Sequence, residues 1–254
     1  MSAVPARSTP VLEVPGQRRS VVDLEVVIPA YNEAKRLYDV LNATSRYLAT
    51  SPWSSRIVVV DNGSADATSR IARAGVFGVE VPIAVVGCAT AGKGAAVRRG
   101  MMTSSARFVG FVDADLATPI EALGTAVELL ENGATAVIGS RYASGASIVR
   151  RQPVGRRMGG AAFRALTRRM VPGVSDTQCG FKFFQRKAVQ HALSSCEVTG
   201  FAFDVELLRG VQAGGGTVVE LPVAWTDDER SSFRPMRDGV PAFRAALRLM
   251  VAGA

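Results

Sequence analysis

The chain reads as an α/β protein, a mostly parallel sheet with helices on both faces. Val- and Ile-rich runs alternate with helical stretches from residue 24 to residue 139, the rhythm of parallel strands joined by helical crossovers. Polar turns carrying acids or glycines follow four of those runs, at Pro29–Glu33, Asp61–Asp66, Gly87–Gly94 and Asp113–Asp115. The carboxyl ends of strands are where such sheets collect ligands. With 254 residues, 48% of them apolar and 20% charged, there is material for one large domain with a substantial core.

Taken in order, Leu24–Ile28 is the first strand, with Pro29 expected to stop the ladder and a helix running from Ala34 to Leu48. Arg56–Val60 is the second strand, followed by a helix over Ala65–Ala74, with Ser64 placed as its N-cap. Ile83–Gly87 and the helix Gly94–Ser104 come next, then Phe108–Val112, the helix Ile120–Asn132 and Ala136–Gly139. Beyond lies a basic stretch, Arg150–Val171, and a Gly/Asp segment, Gly173–Gly180. A strand at Phe181–Phe184 follows, then a helix through His191, the helix Ala202–Ala213, a last strand Val218–Trp225, and a terminal helix Val240–Val251.

Composition narrows the chemistry. Cys88, Cys179 and Cys196 have no metal-ligand spacing and read as reduced, mostly buried thiols, which suits a reducing cytosolic compartment. His191 is the only histidine, which leaves no histidine cluster for zinc and no evident Ser-His-Asp arrangement, so any metal falls to carboxylates. A net charge of +8 and a pI near 10.0 call for an anionic partner: nucleic acid, a phosphorylated ligand or an acidic membrane surface. Nucleic acid is disfavoured, because no recognition motif is present and the aromatics, 7% of residues, fall mostly in core elements. Residues 1–22 read as a flexible basic arm, and no run approaches the ~20 apolar residues of a spanning helix, which predicts a soluble or peripheral protein.

Asp113 and Asp115 stand one residue apart at the tip of a buried strand. Hard oxygen ligands spaced this way suit Mg²⁺ or Mn²⁺ bridging a diphosphate, although the same pair would serve as a helix cap or a solvated turn. Pro29, Ala30, Tyr31 and Glu33 offer a flat ring and a carboxylate for a base and ribose, or equally a plain strand-to-helix turn. Asp61 is an exposed acid beside Gly63, a residue free to take positive φ, and Asp66 reads as a cap. Gly87–Gly94 follows a Walker A pattern except that Gly94 stands where a Ser or Thr would meet Mg²⁺, which argues against an NTPase but keeps Lys93 beside a phosphate.

Together the segments Val26–Glu33, Val59–Ser64, Gly92–Ala95, Asp113–Asp115 and Gly139–Arg141 resemble family 2 glycosyltransferases of GT-A fold, a Rossmann-like architecture. Asp176–Lys182 and Phe201–Leu208 are similar to the dolichyl-phosphate β-glucosyltransferase branch, with dolichyl-phosphate mannose synthases nearby. The resemblance implies one domain over 23–254, with a nucleotide-binding half at 23–140 and an acceptor half at 141–254. It implies inverting transfer of a hexose from a nucleotide diphosphate sugar, UDP-glucose, to a polyprenyl phosphate. The alternatives are a GDP-mannose-dependent polyprenyl-phosphate mannosyltransferase and a cytosolic enzyme with a small or polymeric acceptor. Pro29, Ala30, Tyr31, Glu33, Asp61 and Asn62 would line the nucleoside pocket, with Lys93 beside it. Asp113 and Ala114 would face ribose and diphosphate, Asp115 would hold Mg²⁺ or Mn²⁺ with Asp113 at hand, and Arg141 would reach donor phosphate or the acceptor. Two departures stand out: many relatives carry a second Asp where this chain has Asn62, and some carry a metal-binding Gln where it has Ala117.

Asp176 and Asp204 are the acids on the acceptor side, candidates for a general base if the acceptor is an alcohol. A phosphate monoester, largely a dianion at neutral pH, needs none. Over Arg157–Val171 at 100° per residue, Met158, Ala162, Ala165, Leu166 and Met170 share one arc, interrupted by Arg169, while Arg157, Arg164 and Arg168 share another, the pattern of an amphipathic interfacial helix or equally of a surface helix packing its Met/Leu side on the sheet. With Arg150, Arg151 and Arg156 it would favour an anionic membrane surface on the cytoplasmic face, leaving room for a membrane-protein partner or a homo-oligomer. Arg230, Arg234 and Arg237 lie in the loop Asp227–Arg237, where relatives place a basic loop that closes on diphosphate.

Overall fold

The computed structural model describes residues 22–150, 154–227 and 238–252. The basic arm, apart from residue 22, and Arg151, Arg230, Arg234 and Arg237 lie outside them, as do the side chains of Arg150, Arg156 and Arg157.

Seven strands form the main sheet in the order β3-β2-β1-β4-β7-β5-β8. They are β1 (Leu24–Ala30), β2 (Ser55–Asp61), β3 (Ile83–Gly87), β4 (Phe108–Val112), β5 (Ala136–Ser140), β7 (Phe181–Gln185) and β8 (Val218–Pro222). All pairs are parallel except β7, which runs antiparallel between β4 and β5. Every residue of β4 and β5 is buried, which is why these segments read as unbroken apolar runs instead of alternating ones.

Helices cover both faces. Leu37 and Leu41 of α1 (Leu37–Ala49), Ala72 of α2 (Thr68–Ala74) and Leu123 and Val127 of α4 (Ala122–Glu131) share a core with Val26, Ile28 and Val59. On the other face, Val97 and Met101 of α3 (Lys93–Met102), Phe163 of α5 (Val154–Thr167), Val189 of α6 (Arg186–Ser194), Leu207 of α7 (Phe203–Ala213) and Ala246 of α8 (Val240–Ala252) pack with Val27, Val58 and Phe111.

Four local expectations are corrected. The first strand continues through Pro29 to Ala30: its ladder to β4 ends at Val27, but that to β2 runs to Ala30 opposite Asp61. α2 begins only at Thr68, because Asp61–Asp66 are engaged in turn hydrogen bonds, and Ser64 is not its cap. The last strand divides at Val223, whose N–H bonds the Ser140 carbonyl. Ala224–Thr226 then becomes β9, paired with an unforeseen β6 (Ser147–Arg150) in a separate two-stranded sheet. Finally, the expected helix over 157–171 starts and ends earlier, so Met170 falls in the turn after it and is buried. The stripe that α5 turns inward carries Phe163 and Thr167, while Met158, Ala162 and Ala165 face out.

Candidate active site

Because β1, β2, β4 and β5 are parallel, the residues that follow them gather at one edge of the sheet. β7, being antiparallel, brings its preceding segment, Asp176–Gly180, to that same edge. Thus Tyr31–Glu33, Asp61–Asn62, Asp113–Asp115, Arg141 and Asp176 all converge there.

The turn after β1 is stitched to the turn after β2. Asn32 N–H donates to Ser64 Oγ (3.0 Å) and Ala65 N–H to Asn32 Oδ1 (2.9 Å). Glu33 N–H donates to Thr68 Oγ1 (2.8 Å) and Ala34 N–H to Asp66 Oδ2 (3.1 Å). This bracing leaves Tyr31 out in solvent, 46% exposed, with Pro29 half-buried and Ala30 buried behind it. Glu33 is expected from the sequence to line the nucleoside pocket. It is buried and its carboxylate is chelated by the guanidinium of Arg36, since a buried anion needs a counter-charge. Arg36, absent from the sequence reading, also lies close enough to act electrostatically on Asp115; its signal was the Glu33-x-x-Arg36 spacing that faces the two side chains.

Asn62 explains its own departure from the family pattern. Its amide donates to the carbonyls of Cys88 (3.1 Å) and Thr90 (2.7 Å), and its Oδ1 accepts from Gly92 N–H (2.8 Å). One carboxamide therefore shapes the loop before α3, and a carboxylate has no donors for that work. Asp61, beside it, accepts from Ser64 N–H (3.0 Å) within its own turn.

In the turn entering α3, two of the backbone N–H groups already have partners within the chain. Gly92 N–H is taken by Asn62 and Ala95 N–H by the Thr199 carbonyl, and a Cβ on Gly94 would sit 2.5 Å from Phe203. Lys93 instead reaches Asp113, at 2.8 Å to Oδ1 and 3.1 Å to Oδ2. Burial opposes its charge, yet Asp113, then Asp204 and Asp115, hold the ammonium above its ordinary range.

Asp113 N–H donates to the Gly180 carbonyl at 2.8 Å. Only a glycine allows this approach, because a Cβ at 180 would fall 1.9 Å from Asp113 Oδ2. Ala114 is buried, and Asp115 Oδ1 accepts from Ala117 N–H (3.1 Å). Burial first, and then the charge of Asp113, push the Asp115 carboxyl up to about 6. Leu116 sits at φ +51, and it and Asn32 are the two left-handed non-glycine residues among those described. Strain of this kind gathers at functional sites. The two carboxylates are half-buried, and Asp113 is already paired with Lys93, so Asp115 is the acid with most to gain from a divalent cation. Among the described residues no group of three or more His, Cys, Asp or Glu is placed to hold one, so the protein offers two carboxylates and the remaining oxygens must come from ligand and water, as Mg²⁺ prefers.

Both candidate bases are committed elsewhere. Asp176 is buried and forms a two-point pair with Arg141, Nε to Oδ2 and Nη2 to Oδ1 at 2.7 Å each, and accepts Arg141 N–H as well. Its own N–H and that of Ser175 are held by Glu220. Burial raises its pKa, but the Arg141 charge and hydrogen bonds outweigh that and hold it below the usual carboxylate range. Asp204, 1% exposed, lies 2.7 Å from the ammonium of Lys182. Neither carboxylate, as placed, is free of a cationic partner or open to solvent. The Arg141 guanidinium carbon lies 5.3 Å from the ring centroid of Trp225 and 5.7 Å from that of Tyr142, and the Arg164 guanidinium carbon lies 3.7 Å from the Tyr142 centroid. Lys182 was missed, though a lysine inside Phe181–Phe184 is a visible anomaly for a buried strand.

Residues 25–193 match the family described as "Glycosyl transferase family 2". A dolichyl-phosphate β-glucosyltransferase of Trichomonas vaginalis is 35% identical over 212 residues, covering 79% of this chain and 63% of the relative. The enzyme of that name from Homo sapiens is 33% identical over 226 residues, covering 84% of this chain and 70% of its own. This chain thus spans a little under two thirds of the first relative's length. Among solved structures, glucosyl-3-phosphoglycerate synthase of Mycobacterium tuberculosis with Mg²⁺ and UDP superposes with a TM-score of 0.66 at 20% identity, over 91% of this chain and 79% of that one. Its complex with Mn²⁺, UDP-glucose and glycerol 3-phosphate gives 0.63 at 21% identity, with the same coverage. At such identities the likeness is one of fold, and that fold is GT-A.

Proposed function

The chain belongs to glycosyl transferase family 2, and from that premise we propose that it moves glucose, with inversion, from UDP-glucose to the phosphate of a polyprenyl phosphate at a membrane surface. The observation that carries the acceptor class is the commitment of both acids that the sequence offered as bases, Asp176 to Arg141 and Asp204 to Lys182. An alcohol acceptor needs a base, whereas a phosphate monoester with a second pKa near ~6 arrives as a nucleophilic dianion. The relatives named for dolichyl phosphate support the same acceptor.

On this reading Tyr31 and Asp61 contact the nucleoside, and Asn62 keeps the adjoining loop in shape. Asp115, with Asp113, holds Mg²⁺ or Mn²⁺, which when bound supplies positive charge to the leaving diphosphate. Lys93 adds a fixed ammonium beside the same group, and Arg141 presents its guanidinium edge toward the incoming phosphate. The acceptor oxygen attacks the anomeric carbon from the face opposite the diphosphate, which leaves as that bond forms.

Support for a membrane surface comes from α5 and α8. They meet through Phe163 and Phe243, with ring centroids 5.2 Å apart at 86°, and they leave Met158, Leu247, Met250 and Val251 exposed among the exposed Arg168, Arg169, Arg244 and Arg248. Apolar side chains flanked by guanidinium groups suit the interface of an anionic leaflet, here the cytoplasmic face. Among the described residues no helix is long and apolar enough to cross a membrane.

The test is transfer of radiolabelled glucose from UDP-glucose into extracted polyprenyl phosphate, with and without EDTA. Label in the lipid phase that EDTA abolishes is the expected result. Label only from GDP-mannose, label only in a water-soluble acceptor, or transfer indifferent to EDTA overturns the corresponding part of the reading.

A further inference from the structure

The charges deepest in this molecule lie behind the donor edge. Lys182 stands on β7, fully buried, in register with Phe111 of β4 and Ile138 of β5. Its ammonium meets the Cys179 carbonyl at 2.5 Å and Asp204 Oδ1 at 2.7 Å, and lies 5.2 Å from the centroid of the Phe111 ring. Lys93 lies 5.4 Å from the centroid of that same ring. Two ammonium groups thus share one aromatic side chain, two residues before Asp113. Lys93 is satisfied by Asp113 at the edge, and Lys182 by Asp204 beneath it.

Asp204 is brought there by helix docking. The N-terminus of α3 packs against that of α7: Ala95 N–H bonds the Thr199 carbonyl at 3.2 Å, and Gly94 abuts Phe203 so closely that no side chain fits between them. Position 204 follows directly, in the first turn of α7. That carboxylate acts on both ammonium groups flanking Phe111: it pairs with Lys182 and adds to the negative charge that holds Lys93.

We propose that Asp204 and Lys182 are positioning residues for donor binding: their buried pair anchors α3 and Lys93, so that Asp113 and Asp115 are presented outward to the metal–diphosphate. This rests on the donor reading above. It assigns Asp204 a role at the donor rather than at the acceptor.

Removing one charge alone strands its partner in the core, so Asp204→Asn and Lys182→Met are expected to lower Tm. The informative variant is the double substitution Lys182→Met/Asp204→Leu, which removes both charges at similar volume and is expected to keep Tm near that of the wild type. Calorimetric titration of UDP in the presence of Mn²⁺ is expected to give about tenfold weaker binding for the double variant. In a Lys93→Met background the same double change is expected to alter affinity by less than about twofold, since the anchor then has nothing to hold. UDP affinity within twofold of wild type for the double variant overturns the proposal, and a lowered kcat with an altered pH profile at unchanged UDP affinity returns Asp204 to the acceptor. A full loss that persists in the Lys93→Met background also overturns it, because the pair would then act independently of Lys93. Absence of UDP binding by the wild-type chain overturns the donor reading, and this inference with it.

Discussion

Replacing Asp115 by Asn should stabilise the cation-free protein while abolishing its response to metal and nucleotide. The amide keeps an oxygen for the Ala117 N–H and removes the charge that burial and Asp113 disfavour. The carboxyl sits at about 6 instead of its usual 3.8, which at about 1.4 kcal/mol per tenfold is an upper bound of roughly 3 kcal/mol. The side chain is partly open to water, which screens it, so a net gain of about 1–2 kcal/mol is expected. For a chain of this size that is a rise in Tm of roughly 2–8 °C. The pH dependence fixes the cause. A carboxyl whose folded pKa is raised contributes most favourably below its unfolded value near ~3.9, and that contribution is lost as pH rises through about 6. The gain should therefore be full at pH 8, about half gone at pH 5 and mostly gone at pH 4, measured by scanning calorimetry in EDTA at pH 8 and pH 4. Adding Mn²⁺ and UDP should raise the wild-type Tm and leave the variant unmoved. A variant less stable than wild type at pH 8, or a gap equal at both pH values, refutes the reasoning.

Asn62→Asp removes both donors to the Cys88 and Thr90 carbonyls and should weaken UDP binding by about 1–3 kcal/mol in a calorimetric titration; unchanged affinity would mean the loop is shaped by something else. Gly180→Ala drives a methyl into Asp113 and should remove the Mn²⁺-dependent thermal shift; retention of that shift counts against the acid pair as the metal site. Arg141→Ala leaves Asp176 buried without its cation and should cost about 3–5 kcal/mol at pH 7. In the wild type the depressed Asp176 pKa gives stability that is present above ~3.9 and lost only as pH falls through its lower folded value, so denaturation curves for the two proteins should converge in acid, and parallel curves would exclude the pair as the cause. Leu247→Asp and Met250→Asp on the outer face of α8 should reduce flotation with anionic vesicles at low salt; equal flotation of variants and wild type would move the membrane contact off that helix.

The sheet was legible where burial on both faces wrote continuous Val/Ile runs, from β1 through β5, and the turns that follow those strands marked the site because polar residues at a buried edge must have a use. The short pair β6 and β9 escaped because its residues lack an apolar period: Ile148 and Val149 are 41% and 69% exposed. Glu33 was read as a ligand contact because the sequence does not display which partner a carboxylate finds, and Arg36 claims it in space. Asp204 was read as an acceptor-side acid for the same reason. Its partner lies some twenty residues earlier on a strand whose antiparallel course only the fold reveals. The outward face of α5 was partly legible, since Met158, Ala162 and Ala165 do point to solvent, but Phe163 set the inward direction.

β7 also bears on the order in which this molecule is made. β5 has no partner among the strands that precede it, for its neighbours are β7 and β8, both from after residue 140. A ribosome that has released only the first 140 residues therefore holds β1–β4 with the exposed edge of β4 and an unpaired β5. That edge stays open until Phe181–Gln185 emerges, the long-range pairing that slows folding and exposes strands to wrong partners. The same insertion that brings Gly180 against Asp113 means that the edge carrying Asp113 and Asp115 is completed only after β7 has been made, so a chain cut before it would carry the acid pair without the backbone that aims it.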